Sequence, residues 1–291
     1  MAIIWELDFY SRPLLDDAGK KVWELVVCER AQTVQAELSS LFQYTQFCPS
    51  TEVNSLWLQA AIKTAIAQAP APPDRIRFFR RQMNNMITRA CNDLGLEAKP
   101  SRRTYTLNLL LQQRLQTVYP TMAGFQPGQA NPIASVVSYQ ASPPLPLPDA
   151  LRGDRWALVT LEAAAFDDMA AWTIDFRDVV PLSLLNLAPN TPVPGLLIFS
   201  SRALPLAGWL SGVELAFIKY APGNPAQLVL ETGADDRWTL ATLSNTQVCQ
   251  EAERFEAAKQ AAQQVHFLAV QSDPNVEAFA GFWLLQEVNL S

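Results

Sequence analysis

The sequence predicts a mixed α/β protein of two domains joined by a proline-rich linker, and three observations predict it. Strand-like alternation and helix-like periodicity interleave along all 291 residues. Proline and glycine collect between Pro120 and Pro148, in GFQPGQANP and SPPLPLPDAL. The two sides differ in charge: residues 1–150 hold 14 Lys+Arg and 12 Asp+Glu, whereas residues 151–291 hold 8 and 16. The division expected is residues 1–125, a linker at 126–150, and 151–291.

The first element follows from alternation. Ile3, Trp5, Leu7 and Phe9 point one way, and Glu6, Asp8, Tyr10 and Arg12 the other, which predicts a half-buried strand. Residues 22–30 alternate again, and DDAG between the two supplies turn chemistry, so they form a hairpin. A turn centred on Ala18 sets Glu6 against Arg30 and Arg12 against Glu24 as cross-strand ion pairs. A short third strand is expected over residues 42–47. Ser50 or Thr51 caps a helix whose apolar positions include Val53, Leu56, Trp57, Ala60, Ala61 and Ile66. AQAPAPPD ends it, because proline cannot continue a helix. RIRFFRR reads as a strand. Met83, Met86, Ile87, Ala90, Cys91 and Leu94 recur at helical spacing, and Gly95 closes that helix. A strand at residues 96–99 and a helix through Leu107, Leu110, Leu111, Leu115 and Val118 complete the half.

This order, a strand meander followed by alternating helices and strands, resembles the ribonuclease H-like arrangement. The second half predicts another mixed sheet domain. WALVTLEA, GLLIFSS, VELAFIKY, AQLVLETG, RWTLATL, HFLAVQS and FAGFWLLQE read as strands, and residues 249–265 as a helix. Asp235 and Asp236 read as a hairpin tip.

Several function classes are excluded by composition. One histidine, His266, and four dispersed cysteines leave a zinc site short of ligands. His266 lies between Val265 and Phe267 and reads as a packed side chain. No phosphate-loop, dinucleotide or nucleophile-elbow motif occurs. No cofactor, metal or catalytic residue is therefore expected. No run of about 18 apolar residues suggests a membrane span, and the opening residues, with Glu6 and Asp8 interrupting the apolar run, are not expected to be a signal peptide.

Two clusters deserve weighing. Asp8, Glu24 and Glu52 are the acids available to a metal-dependent nuclease of ribonuclease H-like type. Two-metal chemistry needs a further acid at the end of RIRFFRR, where Arg80 and Arg81 stand instead. The strand acids are therefore read as structural. Residues 75–114 carry nine Lys+Arg against Asp93 and Glu97. Basic side chains with interleaved aromatic rings suit single-stranded RNA, the charges tracking phosphates and the rings stacking bases. The expected contacts are Arg75, Arg77, Arg80, Arg81, Arg102, Arg103 and Tyr105, with Tyr105 as the stacking platform. A protein-binding assembly factor, docking this basic face on acidic protein, is the other alternative.

WELDFYSRP with GKKVWELVVC, then RFFRRQM, GVELAFIKY and FAGFWLL, resembles the Tab/Atab family of RNA-binding activators of photosystem mRNA translation. The resemblance runs from one end of the chain to the other. It implies binding to a single-stranded, A/U-rich mRNA leader and a role in making photosystem reaction-centre proteins. Translation or photosystem assembly proteins are the implied partners. Plastid members carry a transit peptide, so a cyanobacterial, cytoplasmic form is expected. The resemblance brings no catalytic or RNA-contacting residue with it.

Overall fold

A computed structural model of the chain describes residues 2–127 and 143–288. It is mixed α/β and divides into two compact units. Within the described residues, the first unit gathers 2–31 and 37–127; the second gathers 32–36 and 143–288.

The first unit is built on one five-stranded sheet. Its strands are β1 (Ile4–Leu15), β2 (Lys21–Glu29), β3 (Gln43–Cys48), β4 (Arg75–Phe78) and β5 (Glu97–Pro100). Their order is β3-β2-β1-β4-β5, with β1 to β3 antiparallel and β4 and β5 parallel to β1. Three helices cover it: α1 (Ser55–Gln68), α2 (Asn84–Asn92) and α3 (Tyr105–Gln113). On one face, Trp5, Leu7, Phe9, Leu25 and Val27 pack with Leu58, Ile62, Ile87 and Cys91 of α1 and α2. On the other, Val26 and Cys28 pack with Leu107, Leu110 and Leu111 of α3.

The second helical layer overturns the reading of β1 as half-buried. Glu6, Asp8 and Arg12 are all buried, because α3 lies over the polar face. Burial also pushes the Cys91 thiol up to about 12 and the Cys48 thiol to about 11, so both stay protonated.

The hairpin register differs from the expected one for a local reason. Leu15 pairs with Lys21, as a turn centred on Ala18 requires, but a bulge between Ser11 and Leu15 shifts everything beyond it. Glu6 then opposes Cys28, and Tyr10 opposes Glu24. Pro13, which has no N–H to give a ladder, sits in the bulge. The Arg12–Glu24 ion pair forms regardless, because the arginine is long enough to reach.

The α1 cap is also displaced. Ser50–Glu52 forms a separate 3₁₀ turn, and the Asn54 side chain accepts from the Trp57 N–H. The buried stripe is accordingly Leu58, Ala61, Ile62 and Ala65, and Leu56 is 67% exposed.

The second unit has two sheets. Its strands are β6 (Leu145–Pro146), β7 (Arg155–Glu162), β8 (Ile174–Asp178), β9 (Pro192–Phe199), β10 (Leu215–Ala221), β11 (Ala226–Thr232), β12 (Asp236–Leu243), β13 (Val265–Gln271) and β14 (Phe279–Gln286). One sheet runs β10-β11-β12-β6 and the other β7-β9-β13-β14-β8. Helices α4 (Ala203–Gly212) and α5 (Thr246–Ala261) join them in one core, with Leu206, Leu210, Leu228, Phe255, Leu268 and Trp283 at its centre. The chain segment 32–36 packs here too: Ser183 N–H donates to Val34 O, and Ser183 Oγ to Ala36 O.

The expected linker lies partly outside the described residues. Its described end is not a free spacer, since Leu145 and Pro146 pair with Trp238 and Thr239 of β12, and Leu147 is buried.

The outer edge of β10 is sealed by side chains. His266 Nε2 accepts from Ile218 N–H at 2.8 Å, while its Nδ1 faces Gln264 O at 2.9 Å. That pair of contacts fixes the neutral tautomer protonated on Nδ1. Lys259 Nζ donates to Ile218 O at 2.7 Å and to Glu287 at 2.8 Å; Glu256 accepts from Tyr220 N–H.

Candidate nucleic-acid interface

The basic stretch folds so that four of its arginines gather at the carboxyl ends of two parallel strands. Arg80 and Arg81 follow β4, and Arg102 and Arg103 follow β5. This is the edge at which open parallel sheets take ligands. Burial then separates the expected contacts. Arg75, Arg81 and Arg102 reach solvent; Arg77, Arg80 and Arg103 are buried. Arg75 pairs with Glu97 at 3.6 Å, and Lys99 pairs with the same carboxylate at 3.2 Å.

Tyr105 does not fit the stacking role. It opens α3 at 3% exposure, with the Arg103 guanidinium 5.3 Å from its ring centroid. A base has no open ring face to stack on. The cause is the first turn of α3, which docks on the sheet: Glu6 accepts from Leu107 N–H at 2.8 Å, and Thr106 Oγ1 from Ala31 N–H at 3.2 Å. The carboxylate thereby satisfies a backbone donor at the helix start.

Arg80 is held by the fold. β4 runs parallel to β1 with Glu6 opposite Arg77, which brings the residues just past β4 beside Asp8. Arg80 Nε donates to Asp8 Oδ1 at 2.5 Å, and its guanidinium lies 3.9 Å from the Tyr10 ring centroid. Arg12 closes the other side, with Nη1 at 2.7 Å from Asp8 Oδ2 and Nε at 2.9 Å from Glu24 Oε2. Glu24 also accepts from Arg114 and from Tyr119 Oη, the latter at 2.6 Å.

The cluster behaves as a charge-compensated unit. Burial alone would push the Asp8 carboxyl up, but Arg80 and Arg12 outweigh it and hold the group below its usual value. Burial pushes Tyr119 up to about 12, so its hydroxyl keeps the proton it donates to Glu24. Arg12 was expected to pair with Glu24, as it does, but the parts played here by Arg114 and Tyr119 were not read from sequence. Those two come from one stretch about 90 residues further along the chain than Glu24, and no local spacing announces their meeting with it.

Two of the three acids of the nuclease alternative are thus committed elsewhere, and the third stands apart from them. Both oxygens of Asp8 are bonded to arginine, and Arg12 bridges Asp8 to Glu24. Glu52 lies in the exposed turn before α1. Among the described residues, no three His, Cys, Asp or Glu side chains gather to hold a metal.

Comparison with known proteins decides the family. The N-terminal model of the RNA-binding protein Tab2/Atab2 matches residues 4–114, and the C-terminal model matches residues 134–286. The chain belongs to the Tab2/Atab2 family of RNA-binding proteins. Among its relatives, a chloroplastic TAB2 homolog of Zea mays is 42% identical over 98% of this chain and 71% of its own length. A chloroplastic TAB2 homolog of Arabidopsis thaliana is 40% identical over 97% of this chain and 74% of its own. No solved structure matches.

In this Tab2/Atab2 chain, therefore, the basic stretch divides into two roles. Arg80 neutralises a buried carboxylate, whereas Arg81 and Arg102 stand at neighbouring strand ends with solvent access. No helix among the described residues is long and apolar enough to cross a membrane.

Proposed function

We propose that the chain binds a single-stranded, A/U-rich mRNA leader and so supports translation or biogenesis of photosystem reaction-centre proteins. The observation that carries this is the match of both halves of the chain to the RNA-binding Tab2/Atab2 models. The interface proposed is the carboxyl-end edge of β4 and β5, with Arg81 and Arg102 as phosphate contacts; Arg75 stands at the opposite, amino end of β4, paired with Glu97. Cation-lined strand ends suit a polyanion, since each phosphate neutralised releases counterions. The other expected contacts, Arg77, Arg80, Arg103 and Tyr105, are buried and support that edge from within.

The first unit is proposed to be a ribonuclease H-like scaffold, a reading supported by the strand order β3-β2-β1-β4-β5. On this reading Arg80 stands where such an enzyme keeps an acid, and the chain binds RNA without cutting it. The setting proposed is the cytoplasm of a cyanobacterial cell, with relatives that are named as chloroplastic. Translation or photosystem assembly proteins are the proposed partners of the acidic second half.

Filter binding with A/U-rich and G/C-rich leader RNAs tests the reading. Tighter binding of the A/U-rich RNA is expected, with affinity falling as salt rises by a slope of about −0.7 per phosphate contacted. Labelled RNA incubated with Mg²⁺ or Mn²⁺ should stay intact. Equal affinity for both RNAs removes the leader preference, and cleavage lost in Asp8→Asn restores the nuclease alternative.

A further inference from the structure

Sheet edges accept other chains unless something protects them, and the described edges of this protein are protected unequally. β5 carries Glu97 and Lys99, β7 carries Arg155 and Glu162, and β8 carries Asp175, Arg177 and Asp178. β6 is two residues long and includes a proline. The edge of β10 is closed by His266, Lys259 and Glu256. β3, with the sequence QYTQFC, has none of these devices: no charge, no proline and no bulge within its pairing to β2.

Its outward groups can be identified from parity. Glu29 N–H donates to Phe42 O at 2.9 Å, in the same register that pairs Cys28 with Gln43 and Trp23 with Cys48. Hydrogen-bonded and non-bonded pairs alternate along an antiparallel ladder. Tyr44, Gln46 and Cys48 therefore face β2 with their backbone groups, and Gln43, Thr45 and Phe47 turn theirs away from it. Arg30 N–H to Ile4 O, across β1 and β2, fixes the same parity independently. The three outward residues are also the exposed ones, Phe47 at 37%.

We propose that two copies of this chain pair antiparallel through β3, about a two-fold axis at Thr45. The three outward positions are symmetric about Thr45. Gln43 then opposes Phe47 of the other copy, Thr45 opposes Thr45, and every outward N–H meets an outward C=O. A slip by one residue would set outward groups against inward ones. No charged side chain lies on the strand to repel its twin, and each exposed Phe47 gains a neighbour across the axis. Closure by a two-fold joins the two five-stranded sheets and leaves no further β3 edge open, so pairing stops at two. The inference does not depend on where RNA binds.

Sedimentation equilibrium of the full chain at tens of micromolar tests it. The expected species is a dimer. Thr45→Pro deletes an outward N–H, a position where an edge strand tolerates proline. Thr45→Lys sets two like charges on the axis. Each should raise the dissociation constant about tenfold or more, the size expected for losing the central pair of hydrogen bonds. The denaturation midpoint at a concentration where both proteins are monomeric should not move. Thr45→Cys should form a disulfide-linked dimer under oxidation, because hydrogen-bonded partners have Cα atoms about 5.5 Å apart; Thr51→Cys should not. A wild-type monomer at that concentration, or a dimer that survives both substitutions without cross-linking at Thr45→Cys, overturns the proposal.

Discussion

Arg80→Ala separates an arginine that belongs to the fold from one that belongs to an RNA surface. Arg80 Nε lies 2.5 Å from Asp8 Oδ1 and its Nη2 3.3 Å from Oδ2. Removing one partner of a buried ion pair costs about 3–5 kcal/mol, because the other charge stays behind without compensation. Asp8 keeps Arg12 at 2.7 Å, so the low end of that range applies. The lost contact with the Tyr10 ring adds about 1 kcal/mol. The expected destabilisation is about 4 kcal/mol, dominated by the carboxylate. With a urea dependence of about 2 kcal/mol per molar, the midpoint should fall by about 2 M. Urea titration followed by fluorescence and far-UV circular dichroism reads this directly. RNA affinity, measured at a temperature where the variant is folded, should keep its salt slope. A variant with an unmoved midpoint and a flattened slope would refute the reasoning, since it would make Arg80 a surface phosphate contact.

Arg81→Ala with Arg102→Ala should weaken RNA binding and flatten its salt slope by about 1.4 in magnitude if each contacts one phosphate of a single strand. Arg177 and Arg254 of the second unit, changed together, should leave that slope in place. Because the Asp8 carboxyl is held below its unfolded value, its contribution is present at neutral pH and is lost as pH falls through the folded pKa. Stability should therefore decline below about pH 4, and Asp8→Asn should flatten that decline in a pH series of denaturation midpoints. His266→Leu leaves the buried Ile218 N–H without its acceptor and should cost about 1–3 kcal/mol in thermal unfolding. Gly281→Ala places a Cβ 2.1 Å from the Trp283 ring and should cost about 1–3 kcal/mol by overpacking.

Strand and helix identity in the first unit was legible because periodicity is local. The stripe from Met83 to Leu94 and the alternation from Ile3 to Phe9 each announce an element. What each element would be packed against was not legible. Alternation assigned Glu6, Asp8 and Arg12 to an open face, yet α3 returns from a hundred residues away to cover them. The same closure hides Arg80, Arg103 and Tyr105, so a charge run in sequence became part interior and part surface. The hairpin register failed at Pro13, where a bulge carries no periodic signature. In the second unit, α4 escaped because ALPLAGWLSG has no polar face and is punctuated by proline and glycine; β8 is short and charged. The packed role of His266 was legible from its apolar neighbours, but the backbone it serves was not.

The sealing of β10 has a consequence for synthesis. Its edge is closed by groups that all come later in the chain: Glu256 and Lys259, then His266, with Glu287 steadying the lysine. A ribosome that has released β10 to β12 has released a hydrogen-bonded hairpin sheet with one side open. Until α5 and β13 emerge, Ile218 and Tyr220 present unpaired backbone to any passing strand. The vulnerable interval ends only when the last few dozen residues are free. A truncation before His266 should accordingly leave the Ile218 N–H without its acceptor and lengthen dependence on chaperones.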